Sequence, residues 1–415
     1  MTLSTIITRG LGTRILRTIN LRTNARCWAI ICVFCALDLS MLIAESHGAS
    51  STDVPTDFVD FWAASRLLIN GGNPFSPAEV LELQQSVGYR EPKPLLMWNP
   101  PWTLSFILPI GFLDYGLSQF VWLILHVSLL LLSAQRLWAI YNPTARQPYL
   151  PWIAAFTFVP TLMVLIIGQI TPLVLLGIVG FLYFERKDQL FWAGVSTTLI
   201  SIKPHLVYLF WIGSTLWVWQ QRRWRVACGA MVAGVIIAII PAMIDPAVYF
   251  QFIEMYRFPG RSTPLELLAP SIGSFLTHYV PHGNLPIQFL PPLLGSLWFL
   301  WHWHKHKEHW NWPEQIPLMI LVSLALSPYA WTYDQVILLP AVIHGFVMVK
   351  RQSGSWYKSG LGLLYVGANG CYLAGKVLVT TDAYYFWLAP VFLLIYLGVN
   401  TVSRSTTSVM TPKIA

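Results

Sequence analysis

Residues 120–140 read FVWLILHVSLLLLSAQRLWAI, an apolar run that a single charged side chain, Arg136, interrupts near its end. The hydrocarbon core of a bilayer is about 30 Å thick, and an α-helix crosses it with roughly 20 apolar residues. Residues 30–44 and 226–244 form similar runs. None of these runs alternates strictly between apolar and polar residues, as the strands of outer-membrane barrels do. The sequence therefore predicts a helical membrane protein.

The composition agrees with lipid as the main surroundings of the chain. Of the 415 residues, 55% are hydrophobic and only 11% are charged, which is outside the usual range of soluble globular proteins. The formal net charge of +8 raises the alternative of a nucleic-acid partner. Because Lys and Arg are scattered through short loops rather than gathered on one domain, we expect no nucleic acid and attribute them to membrane topology.

Short basic turns set the expected orientation. They lie at 185–187, 222–225, 302–309 and 350–358, and the positive-inside rule predicts that they face the cytoplasm. Residues 1–27 carry arginines and no acid, as a transit peptide does, although a basic cytoplasmic flank is the simpler interpretation. We therefore expect a multi-pass protein of the cell membrane with a cytoplasmic N-terminus and a cytoplasmic tail at 401–415.

The polar segments between the basic turns are expected on the extracytoplasmic face. Counting crossings places residues 45–99, 168–171, 203–205 and 328–334 there together. Residues 100–113 are too short for a full crossing, so we predict a re-entrant or broken helix that protein covers. The predicted fold class is an all-α polytopic membrane protein, a single membrane-embedded domain over residues 1–415 with about 11 to 13 transmembrane or re-entrant helices.

Residues 45–99 are the longest polar stretch and form the first extracytoplasmic loop. Within it, residues 57–69 place apolar side chains at helical spacing before the stop signal Gly71-Gly72-Asn73-Pro74, and residues 77–87 form a second amphipathic run. Short helices of this kind commonly lie at the boundary between lipid and water. We therefore predict two interfacial helices in this loop.

Two acids, Asp57 and Asp60, begin the first of these helices. A carboxylate at the boundary of water and lipid can act as a general base towards a hydroxyl group, provided that it stays ionised. The structural alternative is a favourable interaction with the helix N-terminus, which applies to Asp60 in particular. The sequence does not decide which of the two is the base.

Cations expected on the same face suggest a phosphate site. Lys203 and His205 flank Pro204, and Arg66 in the covering loop is a third candidate. Such side chains bind phosphate through charge-assisted hydrogen bonds, although Lys203 could instead extend its amine to the interface. Asp334 enters an apolar run where an acid is costly, so we expect it to have a partner or a role, and a pair with Lys203 would be structural only.

Three further features carry weaker signals. Asp38 lies inside an apolar run, either as an ion-coupling acid or as a protonated or helix-paired one. Gln169 separates two apolar runs, as a simple turn or as a pocket residue. The histidines at 302–309 are interleaved with tryptophans, which favours an aromatic and basic belt at the membrane surface over a metal site.

The order of several short motifs resembles glycosyltransferase family 87, which belongs to the C-type membrane glycosyltransferases. The motifs span about residues 50–345 and read TDFVDFWAASRL at 56–67, GGNPF at 71–75, WNPP at 98–101, GQ at 168–169, KP at 203–204 and SPY at 327–329, followed by Asp334. Each motif alone is short, and their joint order carries the resemblance.

The resemblance implies transfer of a sugar, usually mannose, from a polyprenyl-phosphate donor to a lipid or glycan acceptor outside the cytoplasm. It implies an acid of the first outer loop as the general base, here Asp57 or Asp60, and the family's Asp-Phe element favours Asp57. The positions that it assigns to the substrate pocket are Asn99, Gln169, Tyr329 and Asp334. Many relatives read Tyr-Pro-Pro where this chain has WNPP, so Asn99 departs from the family pattern.

The implied reaction is a direct displacement with inversion at the anomeric carbon. The donor has no pyrophosphate for a metal to bridge and the sequence has no Asp-x-Asp element, so we expect neither a metal nor a cofactor. Two alternatives remain. A secondary transporter or a flippase for a lipid-linked glycan would have ionisable residues near the membrane midplane, and a non-catalytic assembly subunit would keep the fold without the reaction.

Overall fold

The structure is a computed structural model that describes residues 56–143, 149–257, 264–265, 267, 269–279, 285–351, 355–378 and 382–410. Within these ranges the backbone forms α-helices and short 3₁₀ helices and no β-strand. The predicted all-α fold is confirmed. The predicted basic flank at 1–27, Asp38, the start of the first loop at 45–55 and the end of the tail at 411–415 lie outside the described residues.

We number the α-helices in chain order. They are α1 (Thr56–Ile69), α2 (Pro77–Ser86), α3 (Leu104–Ile107), α4 (Tyr115–Tyr141), α5 (Leu150–Phe156), α6 (Val159–Ile167), α7 (Thr171–Arg186), α8 (Leu190–Ile200), α9 (Tyr208–Gln220), α10 (Trp224–Ile244), α11 (Val248–Met255), α12 (Ile272–Tyr279), α13 (Leu290–His306), α14 (Trp312–Ala325), α15 (Leu339–Arg351), α16 (Ser355–Leu378) and α17 (Leu388–Met410). The 3₁₀ helices nearest the candidate site are Pro101–Thr103, Leu108–Phe112, Pro204–Val207 and Thr332–Leu338.

Full-length membrane spans are fewer than the apolar runs of the sequence. Among the described residues, three segments are long and apolar enough to cross a membrane, namely α4, α10 and Thr332–Lys350. The pair α5 and α6, bent by 66°, makes a fourth if it is taken as one span. The predicted number of about 11 to 13 transmembrane or re-entrant helices is therefore reached only if short and broken helices are counted. Pro160 and Pro172 stand in the first turns of α6 and α7, where proline is tolerated because the N–H that it lacks would have no partner within the helix.

The apolar helices divide into an exterior and a centre. Helix α10 exposes Met231, Val235 and Ile239, which are the side chains expected on a helix that faces lipid. The segment Thr332–Lys350 is 72% buried over its most apolar window. The residues that follow the Pro328–Asp334 motif therefore run through the middle of the helix bundle.

The connecting turns gather at two opposite ends of the bundle. Gln169 in the α6–α7 turn contacts α1, and Lys203 between α8 and α9 contacts Asp334 between α14 and α15. We call this end, with turns 168–171, 203–205 and 328–334, the site end. At the opposite or basic end, which holds turns 186–189 and 221–223, Arg223 pairs with Asp188 at 3.2 Å. The three polar turns predicted to share one face do meet.

Residues 101–112 form a broken helix, as predicted for this segment. The 3₁₀ helices Pro101–Thr103 and Leu108–Phe112 flank the single turn of α3. Side chains of helix α1 donate hydrogen bonds to carbonyl groups of this segment and of the residue that follows it, from Ser65 to Ile107 (3.2 Å), from Arg66 to Gly111 (3.0 Å) and from Trp62 to Leu113 (3.0 Å). Irregular backbone is tolerated at membrane depth only where protein or trapped water supplies such partners.

Helix α1 is packed on more than one side, whereas an interfacial helix would keep one face in water. Its buried side chains include Phe58, Phe61, Trp62, Ala64 and Leu68. The broken helix covers one side, and Trp122 of α4 lies against Phe58 and Phe61 on another, with ring centroids 6.0 and 6.2 Å apart. The placement differs from the predicted interfacial helix because the broken helix folds over α1.

Candidate active site

Asp57 in the first turn of α1 is held by a glutamine from another turn. The Gln169 amide donates from Nε2 to Asp57 Oδ2 at 2.7 Å. The other amide atom, Oε1, accepts the Ile170 backbone N–H at 2.8 Å, which fixes the N–H side of the amide towards Asp57. The Tyr333 hydroxyl lies near enough to this carboxylate to lower its pKa. Asp57 is thus oriented by a side chain that lies far from it in sequence.

The turn that carries Gln169 depends on glycine. Gly168 has φ +73°, a left-handed conformation that glycine adopts without strain. A Cβ atom at this position would lie 2.8 Å from the Phe58 Cβ, so the turn also needs glycine for its close approach to α1. Trp122 donates from Nε1 to the Gly168 carbonyl at 2.7 Å. Together these contacts fix the distance between the turn and Asp57.

Asp60 lies one turn further along α1 in a different environment. Its Oδ1 atom is buried and has no hydrogen-bond partner among the described residues. Burial, and then the charge of Asp57, raise the pKa of Asp60 well above its ordinary value, while Lys203 and the Phe61 backbone lower it in part. Burial also raises the pKa of Asp57, but Lys203, Gln169 and Tyr333 all act against that rise. Of the two acids, Asp57 is therefore the more readily ionised.

Lys203 and Asp334 form a buried ion pair behind Asp57. Lys203 Nζ lies 2.7 Å from Asp334 Oδ1, and the two side chains are 9% and 1% exposed. The Thr171 hydroxyl donates to the same oxygen at 2.8 Å, and the Trp331 backbone N–H donates to Oδ2 at 3.1 Å. The predicted need of Asp334 for a partner is met, since each of its oxygens accepts at least one hydrogen bond.

His205 lies beside Lys203 but is not a cation at neutral pH. Burial lowers the pKa of His205 to about 3, with the charge of Lys203 acting in the same direction and that of Asp334 against it. Its ring stacks on Tyr329, with centroids 4.1 Å apart and planes 28° apart. His205 can therefore offer a phosphate a neutral N–H donor and no charge.

Arg66 is not brought to the other two predicted phosphate-binding residues. It lies in the last turn of α1, about 13 Å from Asp57 along the helix axis at roughly 1.5 Å per residue. Its guanidinium donates to the Gly111 carbonyl at 3.0 Å. The predicted trio of cations is thus not assembled, because Arg66 instead binds a free carbonyl of the broken helix.

The two remaining predicted pocket residues lie around Lys203. Asn99 donates from Nδ2 to the Ile202 carbonyl at 3.2 Å, which ties the start of the broken helix to the 203–205 turn. Tyr329 reaches the same turn through its stacking with His205. Asn99, Gln169, Tyr329 and Asp334 therefore all come together at the site end.

Sequence reasoning missed two residues of this cluster. Tyr333 lies near enough to Asp57 to lower the pKa of that residue and places its ring 5.2 Å from Lys203 Nζ, and Thr171 binds Asp334. Both lie within two residues of a predicted site residue, Tyr333 beside Asp334 and Thr171 near Gln169. This closeness in sequence was the available signal. The direction of their side chains depends on the 3₁₀ helix Thr332–Leu338 and on the start of α7, which the motifs do not reveal.

The histidine-rich turn at the basic end makes protein contacts. His302 Nε2 lies 2.8 Å from Gln315 Oε1, and the His302 ring stacks on His306 with centroids 4.2 Å apart. Lys305 Nζ lies 3.8 Å from the centroid of the Trp301 ring. These contacts are those of an aromatic and basic belt. Over the described part of the chain, no three His, Cys, Asp or Glu side chains are grouped as a metal site.

This chain matches a known protein family. A sequence model of glycosyltransferase family 87 matches residues 98–328, which is more than half of the chain. No curated protein and no solved structure matches. The matched range contains Asn99, Gln169 and Lys203, while Asp57 and Asp334 lie on either side of it.

Proposed function

We propose that this chain, which belongs to glycosyltransferase family 87 and is a membrane glycosyltransferase, has a polyprenyl-phosphate sugar as its donor. In this proposal it moves a hexose from that donor to a lipid or glycan acceptor. Mannose is the first candidate for the hexose, and the extracytoplasmic face is the proposed side of reaction. The observation that carries the proposal is the Asp57 carboxylate, which Gln169 holds at 2.7 Å beside the cation Lys203.

The proposed reaction is a direct displacement with inversion. The acceptor hydroxyl attacks the anomeric carbon while the bond from that carbon to the phosphate oxygen breaks, and its electron pair leaves with the polyprenyl phosphate. Asp57 takes the proton of the attacking hydroxyl. Positive charge develops at the anomeric carbon, as in glycoside hydrolysis. A carboxylate next to this carbon therefore stabilises the transition state as well as removing the proton.

Asp57 is the preferred base because neighbouring groups limit the rise of its pKa, whereas the pKa of Asp60 is raised further. Burial raises the pKa of Asp57, which makes it a stronger base, and the charge of Lys203 together with the donors Gln169 and Tyr333 limits that rise. A base whose pKa lies near the working pH is the most effective. Asp60 has an unpartnered buried oxygen among the described contacts and a pKa raised well above its usual value. Asp60 is therefore the less readily ionised acid of the two.

Lys203 is the proposed electrostatic partner of the departing phosphate. An ammonium group has three N–H donors, and the hydrogen bond to Asp334 uses one of them. Because the Lys203 side chain is only 9% exposed, its charge acts where water is scarce. His205 can add a neutral donor. Arg66 has no phosphate contact in this proposal, since it binds Gly111 instead.

The distribution of ionisable groups argues against a transporter or flippase. Those proteins commonly place such residues near the membrane midplane, between paired broken helices. In the described part of this chain, the four candidate groups Asp57, Asp60, Lys203 and Asp334 lie together at one end of the bundle. A non-catalytic subunit has no use for a carboxylate held in this way. Removing the charge of Asp57 should therefore stop a transferase and leave a non-catalytic subunit working.

The test is sugar transfer by the purified protein in lipid nanodiscs. Radiolabelled polyprenyl-phosphate mannose, and then the corresponding glucose and galactose donors, are offered with a membrane lipid extract. We expect label in a lipid or glycan product, and NMR of that product should show an anomeric configuration opposite to that of the donor. Retained configuration contradicts direct displacement. Transfer by an Asp57→Asn variant at the wild-type rate contradicts the role of Asp57.

A further inference from the structure

The turn that carries Tyr329 is held by two side chains from another part of the chain. The carbonyl of Pro328 accepts a hydrogen bond from Ser271 Oγ at 3.1 Å and a second one from Gln288 Nε2 at 2.8 Å. Ser271 immediately precedes α12, and Gln288 lies in the 3₁₀ helix Leu285–Phe289. The two residues are only 2% and 0% exposed. Two buried donors therefore converge on one carbonyl of the site end.

The backbone around this carbonyl is packed too closely for a side chain at Gly273. A Cβ atom there would lie 2.7 Å from the carbonyl oxygen of Gln288 and 3.1 Å from that of Pro328. Stability alone gives a poor explanation for the Gln288 side chain, because among the described residues its Oε1 atom is buried without a hydrogen-bond partner. A role of its N–H donor in the site explains why a glutamine stands here.

The residue after Pro328 provides the ring against which His205 packs. Tyr329 is fixed on its other side as well, since Ser327 Oγ donates to the Tyr329 carbonyl at 3.0 Å. The centroids of the Tyr329 and His205 rings are 4.1 Å apart. Within the described part of the chain, this stacking is the one aromatic contact of the His205 ring, and no hydrogen bond holds that ring. The direction of the His205 ring nitrogens therefore depends on Tyr329.

We infer that Ser271 and Gln288 are positioning residues for the donor phosphate. Their two hydrogen bonds fix the turn whose Tyr329 ring stacks on His205, and so they set the direction of the His205 N–H. This inference rests on the proposed function, in which His205 offers the phosphate a neutral donor beside Lys203. The alternative is a structural contact, which would stabilise the fold without setting the orientation of His205.

A chemical probe that needs no sugar tests the orientation of His205. Diethyl pyrocarbonate acylates accessible neutral histidine rings, and mass spectrometry of the resulting peptides gives the rate for each histidine. The full-length protein is probed in lipid nanodiscs. Ser271→Ala and Gln288→Met each remove one donor to Pro328, so each should raise the rate at His205 about fivefold, the change expected for the loss of one hydrogen bond.

Ser274→Ala is the matched control for this probe. Ser274 is also buried, its hydroxyl donates to the Leu267 carbonyl at 3.3 Å, and it accepts the Ala269 backbone N–H at 3.0 Å. The same change of serine to alanine three residues further on thus weakens the same region without removing a donor to the site turn. The His205 rate should stay at its wild-type value. Equal rates in Ser271→Ala and Ser274→Ala would show a structural contact only and overturn the inference.

Donor kinetics test the consequence for the phosphate. Gln288→Met should raise the donor KM about fivefold and leave the acceptor KM unchanged. In a His205→Ala background the same substitution should raise the donor KM by a smaller factor, because both changes act through one ring. An equal factor in the two backgrounds, or an equal rise of both KM values, contradicts the inference. A raised His205 acylation rate combined with no transfer by wild type from any polyprenyl-phosphate sugar overturns the proposed function alone.

Discussion

The two ends of this helix bundle treat charge in opposite ways. At the site end, Lys203 and Asp334 pair at 2.7 Å with side chains only 9% and 1% exposed. At the basic end, Arg223 and Asp188 pair at 3.2 Å with side chains 40% and 82% exposed. One pair lies among buried helices and the other is open to the surroundings. The same kind of contact therefore has different consequences at the two ends.

The difference follows from the energy of desolvation. Removing an ion from water costs several kcal/mol, and a buried pair often gives no more stability than apolar side chains of the same volume. An exposed pair costs little and contributes little. The charges of the site end are thus a poor source of stability, and they are best explained by chemistry. Those of the basic end suit contact with headgroups and water, as aromatic neighbours such as Trp301 indicate.

Removing one partner of each ion pair tests this comparison. Lys203→Ala leaves the Asp334 carboxylate buried without its cation, so the free energy of unfolding should fall by about 3–5 kcal/mol. Arg223→Ala removes an exposed partner and should cost about 0–1 kcal/mol. Chemical denaturation of both variants under identical lipid conditions measures the difference. Similar losses for the two variants contradict the contrast between the ends.

A double variant separates stability from chemistry in the same pair. Lys203→Met combined with Asp334→Leu replaces both charges by apolar groups, so it should recover much of the stability lost by Lys203→Ala. Sugar transfer should stay absent, because the cation for the departing phosphate is gone. Recovery of transfer together with stability would mean that Lys203 only holds the fold.

The hydrogen bond from Gln169 should set the pH dependence of transfer. Asp57 accepts a proton only when ionised, so activity should rise with pH through its pKa. Gln169→Leu removes a donor that lowers this pKa, and the acid limb of the kcat/KM profile should move to higher pH. At a fixed pH below that limb, the rate should fall about tenfold for each pH unit by which the limb moves.

A second glutamine provides the control for this change in pH dependence. Gln251 also donates to an aspartate, Asp245, at 2.7 Å, but away from Asp57. Gln251→Leu should leave the acid limb where it is in wild type. Movement of the limb to lower pH in Gln169→Leu, or equal movement in both variants, contradicts the proposed orientation of Asp57.

The smallest change is expected from the aromatic contacts of the basic end. Lys305→Ala removes a cation 3.8 Å from the Trp301 ring centroid, a contact worth about 0.5–1 kcal/mol at an exposed site. The unfolding free energy should fall by no more than this, and the transfer rate should match that of wild type. A large loss of transfer would show that the basic end takes part in the reaction.

Much of the fold and part of the site could be predicted from the sequence. The apolar runs indicated the helices, and counting crossings brought Gln169, Lys203 and Asp334 to one face, where hydrogen bonds now join them to each other or to Asp57. The short proline-containing run at 100–113 was recognised as a broken helix. These inferences worked because length and hydropathy decide which segments lie in lipid.

The remaining features depended on side-chain directions that the sequence does not specify. Arg66 has the right charge for a phosphate, but the fold of the broken helix directs it to Gly111. Helix α1 has the pattern of an interfacial helix, yet the same broken helix covers it. The sequence does not predict Tyr333 as a site residue, because the direction of its side chain follows from a 3₁₀ helix. In each case long-range packing outweighed the local pattern.

Asp57 and Asp60 are the two acids that could remove the proton, and a single comparison of kcat decides between them. Asp57→Asn and Asp60→Asn keep the shape of each side chain and remove its basicity, and both are assayed with saturating polyprenyl-phosphate mannose and acceptor in nanodiscs. We predict that kcat falls by about 10²–10⁴-fold in Asp57→Asn and by less than about tenfold in Asp60→Asn. A larger loss in Asp60→Asn than in Asp57→Asn would contradict the assignment.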